Sequence, residues 1–129
     1  MENKKIRNAT PTEYNGVKYR SKLEAKFARM LDVRGIAFDY EKEKWTLLEK
    51  QRYMGETIRC VQYTPDFIIG DIVVEVKGFR NDVFPLKRKL IIKYINERRP
   101  DLRFFEVKNE RDMNAVIILI LNKNMRTDE

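Results

Sequence analysis

The sequence predicts an α/β fold in which helices flank a mixed β-sheet. Two long segments, residues 21–35 and 83–98, have apolar residues at helical spacing. Runs rich in β-branched residues, which are typical of strands, lie between these segments and after them. The order of a helix, a group of strands, a helix, a strand and a last helix indicates a sheet with helices packed on it.

The first 35 residues predict a hairpin turn followed by a helix. Asn15-Gly16 is a pair favoured in the two-residue turns of β-hairpins. Ser21 suits the start of a helix, and Gly35 suits its end. The apolar residues between them recur on one helix face: Leu23, Phe27, Met30 and Leu31.

The middle of the chain is predicted to be extended. Residues 36–45 have an extended pattern, and residues 58–69 and 72–76 are predicted strands. Residues 46–57 between them predict a turn or a flexible hairpin tip.

The rest of the chain predicts a helix, a strand and a helix. Pro100 stops the helix over residues 83–98, and residues 102–107 alternate as a strand. Residues 116–121 suit either a buried strand or a helix, and we favour the helix. The residues of the 83–98 helix predicted to face inward are Leu86, Leu90, Ile91, Tyr94 and Ile95.

Composition narrows the possible chemistry. The 129 residues include no histidine and one cysteine, Cys60. Ser-His-Asp and Cys-His catalysis are therefore excluded, as is a structural zinc site with four Cys or His ligands. Any hydrolytic chemistry must use carboxylates, lysines, tyrosines or a hard metal ion.

The length is that of one domain, predicted over residues 17–129 after a basic arm and turn over residues 1–16. The longest apolar run, residues 115–121, is far shorter than the roughly 20 residues that cross a bilayer. The amino terminus has no signal-peptide pattern, so we expect a cytoplasmic protein without membrane contact.

Positive charge is concentrated in two segments. The 27 Lys and Arg exceed the 20 Asp and Glu by seven. Residues 1–30 and residues 80–100 each carry a net charge of +5, whereas residues 31–79 carry −2. Single surface charges are ordinarily solvated, but this concentration favours a phosphate-rich partner.

One hairpin is predicted to bring two carboxylates together. Gly70-Asp71 suits a type II′ turn, which sets Ile69 opposite Ile72. The same register, continued along both strands, sets Asp66 directly opposite Glu75. Side chains at such positions have Cβ atoms about 4.5–5.5 Å apart, so two like charges there destabilise the sheet.

A divalent cation that bridges Asp66 and Glu75 would remove this repulsion. Mg²⁺ is the natural candidate because it prefers oxygen ligands, and Mn²⁺ is its expected substitute. Lys77, two residues after Glu75, is predicted to point to the same face. The alternative is that Glu75 pairs with Lys77 and that Asp66 is solvated.

Glu24 is a third carboxylate with two interpretations. Ser21 and Glu24 form a capping box in sequence, in which Glu24 reaches back to the backbone at Ser21. Glu24 also borders the apolar stripe of its helix, so it could face the sheet and reach the same metal. The residues alone leave both interpretations open.

Pro65-Asp66 followed by Glu75-Val-Lys77 resembles the active-site signature of the restriction-endonuclease-like nucleases. The whole pattern is similar to a family of small phage and prophage proteins that resemble endonuclease I, the Holliday-junction-resolving enzyme. It is also similar to the nuclease subunit that cleaves transposon ends. The blocks that carry the similarity are residues 15–24, 63–67, 74–79 and 82–90.

The resemblance implies a restriction-endonuclease-like core and the activity of a Mg²⁺-dependent DNA endonuclease. It also implies a phage or prophage protein in a bacterial host. Holliday junctions or other branched DNA are the further expected substrates. The implied metal ligands are Glu24, Asp66, Glu75 and the carbonyl of Val76, for one or two ions. The same three carboxylates and Lys77 are the implied catalytic residues, with Lys77 orienting the attacking water or neutralising charge on the phosphate.

Basic residues supply candidates for DNA-backbone contacts: Lys4, Lys5, Arg7, Arg80, Lys87, Lys89 and Lys93. Junction recognition would need two sites in a homodimer, and the sequence carries no strong dimer signature. Two alternatives are a nuclease-fold protein that binds nucleic acid without cutting it, and a phage interaction protein. RNA is also open as a substrate.

Overall fold

A computed structural model describes residues 10–77 and 84–127 of the chain, with side chains up to residue 123. It is a mixed α/β structure with helices and several sheets, as predicted. The helices are α1 (Lys22–Val33), α2 (Phe84–Arg98) and α3 (Glu110–Thr127). The strands are β1 (Thr12–Tyr14), β2 (Val17–Tyr19), β3 (Asp39–Tyr40), β4 (Trp45–Leu48), β5 (Gln51–Tyr53), β6 (Glu56–Ile58), β7 (Val61–Tyr63), β8 (Phe67–Ile69), β9 (Ile72–Val76) and β10 (Arg103–Val107).

The largest sheet has the strand order β10-β9-β8-β3. Strand β8 is antiparallel to both β3 and β9. At one end of β9 the Arg103 amide donates to the Asp71 carbonyl, and at the other end the Lys77 amide donates to the Val107 carbonyl, both at 2.8 Å. Residue numbers therefore increase together along β9 and β10, which are parallel. The sheet is mixed, as the sequence predicts.

The chain divides into two compact units. The first takes the described residues of Met1–Ala37, Val76–Arg80 and Phe105–Glu129. The second takes those of Phe38–Glu75 and Asn81–Phe104. The prediction of one domain over residues 17–129 stays a prediction. Within the described residues, no helix is long and apolar enough to cross a membrane.

In the first unit, β1 and β2 form the predicted hairpin, with Asn15 and Gly16 at φ +53° and +80° in its turn. Helix α1 follows, and its Phe27 and Leu31 are fully buried. Residues 116–121, whose sequence suits either a strand or a helix, lie in α3, so the favoured helix is confirmed. Met113 and Ile117 of α3 are buried at helical spacing. Lys26 of α1 forms an ion pair with Glu110 of α3 at 2.9 Å.

Ser21 caps α1, because its hydroxyl accepts a hydrogen bond of 3.1 Å from the Glu24 amide. We expect Ser21→Ala to lower the free energy of unfolding by about 1 kcal/mol, since that amide then loses its acceptor. Ser21→Asp, which supplies another acceptor, should recover most of the loss. Urea denaturation of both variants checks this, and equal losses in the two would contradict a capping role.

In the second unit, one face of the β8–β9 hairpin packs under α2. Ile68 and Val73 are directly opposite each other on this face. With them, buried residues of α2 and neighbouring strands form a core cluster that includes Trp45, Tyr63, Phe84, Ile91, Ile95 and Leu102. Phe67 lies on the other face of the hairpin, where its ring contacts Phe38 and Tyr40.

The structure corrects one prediction for the middle of the chain and confirms part of another. The predicted strand over residues 58–69 is divided among β6, β7 and β8, with residues 64–66 outside any strand. Pro65 explains the second break, because proline has no amide hydrogen for a strand ladder. The predicted hairpin tip within residues 46–57 is confirmed, since β5 and β6 form a hairpin around Met54-Gly55, but regular strands occupy most of this range.

Leu86 corrects the predicted inward face of α2, because it is 64% exposed. The buried residues Phe84, Ile91 and Ile95 define the inner stripe of the helix. Leu86 lies two residues after Phe84, which is about 200° around a helix of 3.6 residues per turn. It therefore faces away from the core.

A candidate carboxylate site on the β8–β9 hairpin

The β8–β9 hairpin has the predicted turn and register. Gly70 has a φ of +61°, and Asp71 is not among the described residues with positive φ, as a type II′ turn requires. The paired residues are Phe67 with Val74, Ile68 with Val73, and Ile69 with Ile72. The observed pairing ends at Phe67 and Val74, and the same register continued by one position would bring Asp66, just before β8, opposite Glu75 of β9.

Asp66 is shielded from water, with only 8% of its surface exposed. Its carbonyl accepts a 3.0 Å hydrogen bond from the Glu41 amide, which fixes the backbone at this point. A carboxylate this shielded needs a compensating charge or hydrogen bonds to stay ionised. Its position opposite Glu75 makes a shared cation a suitable compensating charge.

Glu75 is half-buried and is held by a tyrosine. The Tyr63 hydroxyl donates a 2.6 Å hydrogen bond to Oε1 of Glu75. The Lys87 ammonium lies 5.7 Å from the centroid of the same Tyr63 ring. Sequence reasoning included Lys87 as a DNA contact but missed Tyr63, although Tyr63 is three residues from Asp66. The signal available in the sequence was the position of Tyr63 in the 63–67 block that contains Pro65-Asp66.

Glu24 lies on α1 in the first unit and is 6% exposed. Its Oε1 accepts a 3.2 Å hydrogen bond from the Arg20 amide. The capping interpretation is therefore confirmed in outline, with the backbone contact one residue earlier than predicted. The catalytic and metal-binding roles of Glu24 stay predictions.

Lys77 and Val76 also belong to the first unit. Val76 is the buried last residue of β9, and Lys77 follows it. The Lys77 ammonium is 3.6 Å from Oε1 of Glu106 on β10, and both side chains are largely buried. Sequence reasoning missed Glu106, because nothing in the local pattern of β10 identifies its partner strand.

The predicted DNA-contacting residues are only partly described. Lys89 and Lys93 are exposed on α2, whereas Lys87 is half-buried near Tyr63. Lys93 is bound by both oxygens of Glu97 at 2.8 Å. The other four candidates lie outside the described residues: Lys4, Lys5, Arg7 and Arg80.

Acidic side chains do not form a larger cluster in the part of the chain that the structure describes. No group of three or more Asp, Glu or Cys side chains there is arranged to hold a metal ion. Asp66 and Glu75, the two carboxylates predicted to face each other, both belong to the second unit. Mg²⁺ sites commonly have only one or two carboxylates, completed by water and phosphate oxygens.

Fold and site define a mixed α/β protein that carries two facing carboxylates on its central hairpin. The family model of phage endonuclease I matches residues 6–111. The chain therefore belongs to the phage endonuclease I family, which confirms the resemblance to endonuclease-I-like phage proteins, while the wider resemblance to restriction-endonuclease-like nucleases stays a prediction. No curated protein and no solved structure matches the chain. Membership in this family indicates a phage endonuclease, hence a hydrolase, and implies DNA as the substrate class.

Proposed function

We propose that this protein is a divalent-metal-dependent DNA endonuclease whose metal is bound by Asp66 and Glu75. The observation that carries the proposal is the register of the β8–β9 hairpin, which pairs Phe67 with Val74 and, if continued by one position, would bring Asp66 opposite Glu75. A pair of like charges at facing positions costs stability, and a bound cation would reverse that cost. Membership in a nuclease family supports the same conclusion.

The residues present fit a hard cation. Both proposed side-chain ligands are carboxylates, which suit Mg²⁺ and Mn²⁺ and do not suit softer metals. We include Glu24 and the Val76 carbonyl as further ligands on the family resemblance. A metal bound here would supply a Lewis acid that activates water and stabilises the departing oxygen of the phosphodiester.

Lys77 is the proposed cationic partner of the phosphate. Its ammonium can donate hydrogen bonds to the attacking water or to a phosphate oxygen as negative charge develops. Glu106 is 3.6 Å from this ammonium and restricts where it can point. The proposed role of Lys77 is therefore to orient the attacking water or the phosphate and to balance the negative charge that develops on the phosphate.

Lys87 should contribute more to DNA affinity than the other lysines of α2. It lies beside the Tyr63 ring, whose hydroxyl contacts Glu75, so a DNA strand at the carboxylates passes within its reach. The logarithm of DNA affinity falls as the logarithm of salt concentration rises, and we expect Lys87→Ala to make this negative slope shallower by about 1. Fluorescence anisotropy with a short duplex across a salt series measures this slope.

Lys93→Ala is the matched control, because Glu97 already neutralises that ammonium. Its slope should stay close to that of the wild type. Equal losses for Lys87→Ala and Lys93→Ala would contradict a special position for Lys87 and indicate a diffuse electrostatic surface.

A cleavage panel tests the proposed function. Four-way junction, flap, single-stranded and linear duplex DNA, with one RNA, are incubated with Mg²⁺, with Mn²⁺ or with a chelator. We expect cutting of DNA with either metal and none with the chelator. Failure to cut any DNA form with either metal would overturn the proposal.

Branched DNA is the proposed preferred substrate, on the family resemblance. The same panel should then show faster cutting of the four-way junction than of linear duplex, and sedimentation should detect a homodimer on the junction. Equal rates on both substrates would reject this preference and leave the endonuclease itself in place.

A further inference from the structure

Tyr63 contacts Glu75, a proposed metal ligand, and has no part in the chemistry described above. Its hydroxyl is 2.6 Å from Oε1 of Glu75, a short distance typical of a hydrogen bond to an ionised carboxylate. Tyr63 is only 4% exposed. Such a bond, shielded from water, is stronger than the same bond on an open surface.

The Tyr63 ring is fixed by its surroundings. It pairs with Trp45 across β4 and β7, and the two rings meet edge to face at 5.8 Å. Trp45 in turn stacks on Tyr94 at 4.8 Å and donates its indole N–H to Glu43 at 3.0 Å. That hydrogen bond lowers the pKa of the Glu43 carboxyl, with help from Arg99. The hydroxyl of Tyr63 is therefore held at one place.

Anchoring one oxygen of Glu75 determines where the other oxygen points. A glutamate side chain has three rotatable bonds, and repulsion from Asp66 favours rotamers that separate the two carboxylates. The hydrogen bond from Tyr63 to Oε1 limits the rotamers that Glu75 can adopt and so fixes the orientation of its carboxylate. Hydrogen bonds of this kind, made to a metal ligand rather than to the metal, orient the ligand and commonly contribute 10- to 100-fold to metal affinity.

We propose that Tyr63 is a positioning residue that sets the metal affinity of the site by fixing the orientation of the Glu75 carboxylate. The inference rests on the proposed function, because it presumes that these two carboxylates bind the metal. Tyr63 itself contacts neither the metal nor the DNA in this scheme. Its loss therefore changes the metal concentration that the enzyme needs more than it changes the maximal rate.

Tyr63→Phe tests this directly, because it keeps the ring and removes the hydroxyl. Calorimetric titration of Mn²⁺ into the full chain without DNA should show affinity about 10- to 100-fold weaker than in the wild type. Cutting at saturating Mn²⁺ should return to within a few-fold of the wild-type rate. Tyr94→Phe, in the same packed cluster, is the matched control and should leave Mn²⁺ affinity unchanged.

Two outcomes separate this inference from the proposed function. If the wild type binds Mn²⁺ and Tyr63→Phe binds it equally well, Tyr63 is only a packing residue and the inference is overturned. A lower urea midpoint without a change in Mn²⁺ affinity has the same meaning. If the wild type binds no Mn²⁺, the metal site itself is wrong and the inference falls with it.

Discussion

Glu75→Gln is expected to lower the rate of metal-dependent DNA cutting by about 10³-fold while DNA binding persists. The substitution keeps the shape of the side chain, and the amide oxygen can still accept the hydrogen bond from Tyr63. It removes the negative charge that we propose binds the cation. A catalytic metal supplies several kcal/mol of transition-state stabilisation, and about 4 kcal/mol corresponds to this factor.

Single-turnover cutting of the best substrate from the panel, with Mg²⁺ in excess, measures the loss. Glu56→Gln is the matched control, since Glu56 is an exposed glutamate on β6, and it should cut like the wild type. Without metal, Glu75→Gln should unfold at no lower urea concentration than the wild type, because one of two facing negative charges is gone. A variant that keeps a tenth or more of the wild-type rate would show that Glu75 is not a metal ligand.

Phe67→Ala is expected to lower the free energy of unfolding by about 3–5 kcal/mol, the usual range for a buried phenylalanine. Phe67 has 0% exposure, and its ring centroid lies 5.4 Å from that of Phe38 and 5.2 Å from that of Tyr40. Removing the ring leaves a cavity that its neighbours can fill only in part. Urea denaturation measures the loss.

Phe38→Ala provides the matched comparison, because it removes a ring from the same contact at a partly exposed position. It should cost clearly less than Phe67→Ala. Equal costs would mean that Phe67 is not the more deeply buried ring of this contact.

Local patterns predicted the part of the site that one hairpin contains. Gly70-Asp71 fixes the turn, and side chains alternate along a strand, so the position of Asp66 opposite Glu75 follows from a few neighbouring residues. The start of α1 was predictable for the same reason, because Ser21 and Glu24 are three residues apart. Both features are set by short-range geometry.

Contacts between distant strands were not predictable from one sequence. Tyr63 reaches Glu75 only because the chain leaves β7, is interrupted at Pro65 and turns back through β8 and β9. Glu106 approaches Lys77 only because β10 returns after α2 to lie parallel to β9. Such pairings depend on packing of the whole chain, and the periodicity of either strand alone does not specify them.

The central claim is that Asp66 and Glu75 bind one divalent cation together. Anomalous diffraction from crystals of the wild-type chain grown with Mn²⁺ tests it most directly. We predict a strong anomalous peak bonded to a carboxylate oxygen of both residues, and its loss in Glu75→Gln crystals grown in the same way. A Mn²⁺ peak elsewhere, with the two carboxylates turned apart, would contradict the account.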